Sequence, residues 1–224
     1  MKLYLFTILS TLLLCISLIQ AKLVMVINAA EGEKDNLSSV GLARAQCLKE
    51  IFGVNGTFTA PQKIFAQSGK SKRQQDTVMP LAQSLNLQVD LTYSNDKVKE
   101  LVNGIVTAKE DVILVSWSHD KMDKIARNFE IISPPNWDKN VYDEIWIFTD
   151  GAVPYLKQEN AQIQSTNYKG DHGYGMIVVK ENVEQCMANA VPAGSSLPAS
   201  SASISKAHIN TIIGALLLII YVVF

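Results

Sequence analysis

The stretch VMVINAAEGEKDNLSSVGLARAQ, residues Val24–Gln46, decides the fold of this chain. An apolar run at Leu23–Ile27 predicts a buried strand, and a loop rich in Gly, Asp, Asn and Glu follows it. Ser38 or Ser39 then fits the N-cap of a helix, because a hydroxyl at that position accepts a backbone hydrogen bond. A strand that passes through a loop into a helix is where α/β proteins place their ligands. The apolar face predicted for the helix consists of Leu42, Ala45, Leu48 and Ile51.

The rest of the domain alternates short apolar runs with helical patterns. Asp111–Trp117 is nearly all apolar, as expected for a strand covered on both faces. Pro80 lies inside a helical pattern and predicts a kink or a later helix start, while residues 161–173 fit loop, helix or both. The alternation predicts a three-layer α/β/α domain with a mostly parallel central sheet. The other predicted elements are strands at Lys63–Gln67, Gln88–Leu91, Glu144–Phe148 and Gly175–Val179, and helices at Lys72–Leu85, Asp96–Thr107 and Asp120–Phe129.

Both ends of the chain have the composition of targeting segments. Residues 1–21 carry a lysine, an apolar run and a small residue at position 21, which predicts a secretory signal peptide, with a membrane-anchoring first helix as the alternative. Residues 191–208 form a Ser/Ala/Pro-rich linker, and the apolar tail 209–224 follows. Together they predict a glycosylphosphatidylinositol (GPI) anchor attached at Gly194 or Ser200, on the outer face of the plasma membrane. A transmembrane tail is the alternative.

The composition of the domain between these ends, residues 22–190, limits the classes of partner expected for it. The net charge of the chain is −1, and the sequence contains no basic block. Nucleic acid is therefore not an expected partner. Cys47 and Cys186 remain after signal removal, and they fit either a disulfide or buried free thiols. Asn36 and Asn55 begin glycosylation tripeptides in predicted loops. No set of residues has the spacing of a metal site, and no cofactor is expected.

The opening stretch also carries a family resemblance. Leu37, Ser38, Gly41, Arg44 and Ala45 fit the pattern Leu-Ser/Thr-x-x-Gly-x-x-Gln/Arg-Ala, which opens the first helix in the histidine phosphatase, or phosphoglycerate mutase-like, superfamily. In that family the preceding strand ends in Arg-His-Gly-Glu or Arg-His-Ala-Glu. This chain resembles that motif only at its end, because its residues there are Asn28, Ala29, Ala30 and Glu31.

Two further segments resemble the family. Ser68, Arg73 and Thr77 have the spacing of the segment that supplies a phosphate-binding Arg, and the start of a helix also favours an anion. His119 follows the strand at Asp111–Trp117 and matches the second active-site His. Asp120 then stands where one branch of the family places a proton donor, although a helix N-cap fits it equally well.

The resemblance implies the fold and a pocket, and the replacements imply the loss of catalysis. In the family a His nucleophile attacks phosphorus while positive groups hold the phosphate oxygens. Ala29 offers no nucleophile, and Asn28 carries no charge. The expectation is a GPI-anchored pseudoenzyme with at most a pocket for phosphate or a phosphorylated ligand at Arg73 and His119. The alternatives are an active or residual phosphatase or phosphomutase acting on extracellular phosphomonoesters, and a surface protein that works through another face.

Overall fold

The computed structural model describes residues 22–150, 154–157, 165–170 and 173–190. The chain divides into two units, residues 1–192 and 193–224, and the second unit lies wholly outside the described residues. The predicted signal peptide, linker, tail and attachment residues Gly194 and Ser200 are outside them too. Within the described ranges, no helix is both long enough and apolar enough to cross a bilayer.

Seven strands of the described chain form one mixed sheet, and two more form a separate ribbon. The strands are β1 (Leu23–Asn28), β2 (Gly32–Glu33), β3 (Asn36–Leu37), β4 (Lys63–Ala66), β5 (Val89–Asp90), β6 (Val112–Trp117), β7 (Glu144–Thr149), β8 (Ser165–Tyr168) and β9 (Gly175–Lys180). The order in the sheet is β5-β4-β6-β1-β7-β9-β8. Pairing is parallel from β5 to β1 and antiparallel from β1 to β8. Because β9 points the same way as β1, five of the seven strands share a direction, which confirms the predicted α/β class.

The two central strands are buried over their whole length, and this explains their sequences. Every residue of β1 and β6 is buried. Val24 and Val26 of β1 belong to a core on one face of the sheet, together with residues of β6 and of the helices there. Leu23, Met25 and Ile27 are also fully buried, and alternation along the strand turns them to the other face. Apolar residues are therefore needed on both faces.

The helices cover both faces of the sheet. They are α1 (Ser39–Phe52), α2 (Arg73–Ser84), α3 (Val98–Thr107), α4 (Met122–Asn128) and α5 (Glu184–Ala190). α3 and α4 pack together on the face of the sheet that carries Val24 and Val26. α1 contacts α2 and α5. Two helix groups around a sheet that is buried on both sides are the three layers that the alternating pattern predicted.

One detail of the helix predictions is wrong, and one of the two alternatives for Pro80 is excluded. Leu42 is 56% exposed, although it was placed on the apolar face of α1. At about 100° per residue, Leu42 and Ile51 lie half a turn apart around the helix axis, so they cannot share a face. Pro80 does not mark the start of α2, which runs through it from Arg73.

Ser38, one of the two residues predicted as the N-cap, caps α1, and its hydroxyl oxygen accepts from the Gly41 amide at 3.1 Å.

Candidate functional site

Three parallel strands end side by side and deliver the predicted site residues to one edge of the sheet. In the register of β1 and β6, Asn28 pairs with Trp117, and Ile27 pairs with Ser116. Ala66 of β4 pairs with the same Ser116. The chain segments that leave these strands therefore begin next to one another. They carry Ala29, His119 and Arg73, respectively, so all three residues follow strands that end at this edge, which we call the carboxyl edge.

Ala29 is buried where the strand β1 ends. Its side chain is 2% exposed, and its amide donates to the Trp117 carbonyl at 3.0 Å, which continues the ladder between β1 and β6. Asn28 is buried as well, and its side-chain amide donates to the Val141 carbonyl at 3.2 Å. These positions hold a methyl group and a neutral amide, so neither supplies a nucleophile or a positive charge.

Arg73 is bound to the loop that follows β1. Its guanidinium donates from Nη2 to the Ala30 carbonyl at 2.9 Å. The Thr77 hydroxyl completes this connection, because it accepts from the Ala30 amide at 2.9 Å and donates to the Arg73 carbonyl at 2.7 Å. The Arg73 Nε is buried and has no hydrogen-bond partner among the described residues. Arg73 thus holds its place at the carboxyl edge without forming an ion pair in the described part of the chain.

The β2–β3 ribbon packs directly on the Arg73 side chain. A Cβ added to Gly32 would lie 2.3 Å from Arg73 Nε and 2.5 Å from the Asn36 carbonyl oxygen. The Lys72 amide donates to the Asp35 carbonyl at 3.0 Å, which joins the ribbon to the start of α2. Gly32 is required here because any larger residue would displace the ribbon or the guanidinium. The ribbon therefore closes one side of the candidate site.

His119 opens a short 3₁₀ turn, His119–Lys121, directly after β6. Its side chain is half-buried. The residue before it, Ser118, is fixed because its amide donates to the Gln67 side-chain oxygen at 3.1 Å, and Gln67 follows β4. This anchors the His119 turn between two of the strands that form the site.

Asp120 is poorly suited to donate a proton. It is exposed, and its carboxylate accepts from the Lys121 ammonium at 2.8 Å and from the Asn95 amide at 3.4 Å. Burial alone would raise the pKa of Asp120, but these hydrogen bonds and one from Ser118 outweigh it and hold the pKa below its ordinary value. A group that stays ionised at neutral pH has no proton to give. Asp120 does not cap α4 either, since Lys121 precedes that helix.

A buried ionic cluster of Glu31, Arg44 and Glu181 stands beside the site. Arg44 donates to Glu31 from Nη2 at 2.7 Å and from Nε at 2.9 Å, and to Glu181 from Nη1 at 2.9 Å. Burial raises the pKa of Glu181 to about 7, although the attraction of Arg44 opposes this. The Arg44 pKa is raised in turn: burial would lower it, but the two carboxylates have the larger combined effect. Arg44 is fully neutralised, so it adds no positive charge for a phosphate.

Glu181 is the residue of this cluster that sequence reasoning missed. It directly follows β9, which points the same way as β1, so its carboxylate arrives at the carboxyl edge. The sequence shows only a charged residue after an apolar strand, and this pattern does not distinguish a buried glutamate from an exposed one. Arg44 was noted only as part of the family pattern, without its partners.

The remaining predicted positions lie away from the site or stay untested. Cys47 and Cys186 form a disulfide with an S–S distance of 2.01 Å. Asn36 lies in β3 and Asn55 in the turn after α1, both with exposed side chains, and their glycosylation stays a prediction. No group of three or more His, Cys, Asp or Glu residues within the described ranges could hold a metal ion.

A shallow cleft of about 300 Å³ lies elsewhere on the domain. Its lining includes Thr149, Tyr168 and Met176. Thr149 pairs with Leu23 at the start of β1, so this cleft opens at the edge of the sheet opposite to Ala29. It belongs to a different part of the surface than the candidate site.

Comparisons with known proteins add one structural similarity. No protein-family model matches the chain, and no curated protein matches it either. Among the solved structures that resemble it is one described as phosphohistidine phosphatase SixA from Nakamurella multipartitia. The identity is 13% and the TM-score 0.37, over 58% of this chain and 84% of that chain. A similarity of this size carries no information about activity, and we base the proposal below on the residues and contacts of this chain.

Proposed function

We propose that this chain is a GPI-anchored cell-surface protein with a histidine phosphatase-like domain that has lost its reaction centre. In this proposal the domain binds phosphate or a phosphorylated ligand through Arg73 and His119 and does not turn it over. The sequence motifs around Gly41, Arg73 and His119 support the family assignment. The shared position of their elements at the carboxyl edge agrees with it.

The single observation that carries the loss of catalysis is the buried methyl group of Ala29. It occupies the end of β1, where the family has its nucleophilic His, and its backbone is fixed by the bond to Trp117. A covalent phosphoenzyme needs a lone pair at this place. Neither Asn28 nor Ala30 supplies a nucleophilic nitrogen, because an amide is a very poor nucleophile and alanine has only a methyl group, and Glu31 is occupied by Arg44.

The charges at this edge support weak anion binding instead of catalysis. The Arg73 guanidinium has no ion pair in the described chain. His119 is half-buried and follows β6, one of the strands that end at this edge. Among the cations close in sequence to these two, Lys70 and Lys121 are paired with Asp35 and Asp120, whereas Lys72 beside Arg73 is exposed. A guanidinium and an imidazole N–H can orient a phosphate, but they supply only part of the charge that stabilises phosphoryl transfer.

Turnover and binding are measured separately on the purified protein. We expect no hydrolysis of p-nitrophenyl phosphate above buffer, and binding of inorganic phosphate detectable by titration calorimetry. Arg73→Ala should weaken this binding at least about tenfold. Arg127→Ala is the matched control, because Arg127 is an exposed guanidinium on α4 that faces Asp123. Equal loss in both variants, or hydrolysis abolished by His119→Ala, contradicts the proposal.

Anchoring has its own test. In secreting eukaryotic cells we expect phosphatidylinositol-specific phospholipase C to release the protein from the membrane fraction. Release by detergent but not by the phospholipase would indicate a transmembrane tail, and it would leave the proposal for the domain in place.

A further inference from the structure

Two neighbouring side chains of α1 hold the C-terminal part of the domain. Arg44 and Cys47 are three residues apart, so they lie on the same side of the helix, and both are buried. Arg44 binds Glu181, and Cys47 forms the disulfide with Cys186. The ion pair and the disulfide therefore attach one short stretch of chain, 181–186, to one side of α1.

The last helix of the described chain, α5, has few other attachments among the described residues. α5 contains seven residues, and Met187 is its buried residue. Its last three residues, 188–190, are exposed. A helix of this length is not stable on its own in water. Its position depends on Met187, on the buried Val183 before it, and on the disulfide.

We propose that Arg44, Cys47, Glu181 and Cys186, which we call the α1 clasp, form a redox-sensitive attachment of the C-terminal helix to the domain. While the disulfide is closed, any chain that continues beyond Ala190 is fixed to the domain at Cys186. When the disulfide opens, α5 detaches, and the fixed point moves back to the ion pair at Glu181. The five residues 182–186 are then no longer fixed to the domain. They span roughly 15–20 Å when they are extended.

The opening is a thiol–disulfide exchange with a dithiol reductant. Cys47 is fully buried whereas Cys186 is partly exposed, so the reductant thiolate attacks the Cys186 sulfur and Cys47 leaves as a thiolate. The second thiol of the reductant then displaces Cys186 and closes the reductant's own disulfide. Cys47 and Cys186 together gain two electrons and two protons, and the dithiol loses them.

The consequence for a tethered protein rests on the anchor proposed above. If residues beyond 190 lead to a lipid anchor, the state of the α1 clasp sets how far and how freely the domain stands from the membrane. The detachment of α5 itself does not depend on the anchor or on anion binding. The test of detachment therefore gives a result that is independent of the tests of anchoring and of anion binding.

Hydrogen–deuterium exchange on the folded full chain in detergent tests the detachment, before and after addition of dithiothreitol. We expect the α5 amides to exchange at least about tenfold faster after reduction, including the Met187 amide that donates to the Val183 carbonyl at 2.9 Å. The amides of β1 and β6 should keep their rates. Reduction follows folding, so the result does not depend on whether the chain folds without the disulfide.

A variant without the disulfide provides the control. Cys47→Ser combined with Cys186→Ser should show the fast α5 exchange without reductant and no further response to it. The proposal is overturned if α5 exchange is unchanged on reduction. It is also overturned if β1 and β6 accelerate as much as α5, because the disulfide would then stabilise the whole domain and not a local attachment.

Discussion

Arg73 donates a hydrogen bond to the carbonyl oxygen of Ala30 over 2.9 Å, and this contact connects the start of α2 to the loop that follows β1. The guanidinium is thus held by the backbone of the segment that contains Ala29 and Ala30. The position of Arg73 does not require a bound phosphate or an intact motif. On the proposed loss of catalysis, this contact would keep a positive group beside the Ala29–Ala30 segment.

The first prediction concerns Thr77, which connects the same two segments. Thr77→Val removes the acceptor of the Ala30 amide and leaves that buried N–H without a partner. We expect a loss of about 1–3 kcal/mol in the free energy of unfolding, measured by urea denaturation. Thr92→Val is the control, since the Thr92 hydroxyl donates to Asp90 on the surface, and it should cost less than about 0.5 kcal/mol. Similar losses for both variants would show that Thr77 does not support the loop.

The second prediction concerns the buried cation. Arg44→Met leaves Glu31 and Glu181 buried without their shared partner, which should cost about 3–5 kcal/mol in the free energy of unfolding. Arg127→Met breaks an exposed contact of 3.9 Å with Asp123 and should cost less than about 1 kcal/mol. Thermal and urea unfolding of both variants give the comparison. If Arg44→Met were as stable as the parent chain, the cluster would not be needed for the fold.

The third prediction explains the glycine of the family-like pattern. A Cβ on Gly41 would lie 1.9 Å from the Glu31 carbonyl oxygen, so Gly41→Ala must displace backbone and should cost at least about 1–3 kcal/mol. Gly104→Ala is the matched change in another helix. There the nearest atoms to the new Cβ belong to the half-buried side chain of Tyr93 and not to backbone, and the gain in helix propensity of about 1 kcal/mol opposes the cost. We expect near-neutral stability for Gly104→Ala, and equal stability of the two variants would contradict the close approach.

The fourth prediction is a pH dependence of stability. Burial raises the pKa of Glu181 from 4.5 to about 7, so between these values the folded chain binds a proton that the unfolded chain has released. The contribution of this group to stability therefore falls as pH rises through the window, and it is lowest above pH 7. Glu181→Gln keeps an acceptor for Arg44 and removes the titration. Urea unfolding from pH 5 to pH 8 should show a smaller decline for the variant, and parallel curves would exclude Glu181 as the group responsible.

Much of the fold was predictable because its central strands are buried on both faces. Leu23–Ile27 and Asp111–Trp117 are continuous apolar runs, and the structure has β1 and β6 there. β8, with the sequence STNY, could not be predicted, because a polar edge strand shows no alternation. The two-residue strands of the ribbon at Gly32 are too short to give any pattern.

The strand register agrees with the expected position of the site, but the charge balance at this edge could not be predicted. Parallel strands bring the residues that follow them to one edge, so Ala29, Arg73 and His119 were expected together. The pairing of Arg44 with Glu181 joins residues 137 positions apart, and a glutamate after a strand looks like an ordinary surface residue in the sequence. Only the folded chain shows that the Arg44 guanidinium is paired with both Glu31 and Glu181.

The most direct measurement of the central claim is a search for a covalent phosphoenzyme. The purified chain is incubated with a ³²P-labelled phosphomonoester, quenched in base to preserve phosphohistidine, and assayed for bound label. The variant with Asn28→Arg and Ala29→His serves as the positive control for the rest of the pocket. We predict no label on the natural chain, because the side chain at the end of β1 is a methyl group. Acid-labile label on the natural chain, lost in His119→Ala, would contradict the account.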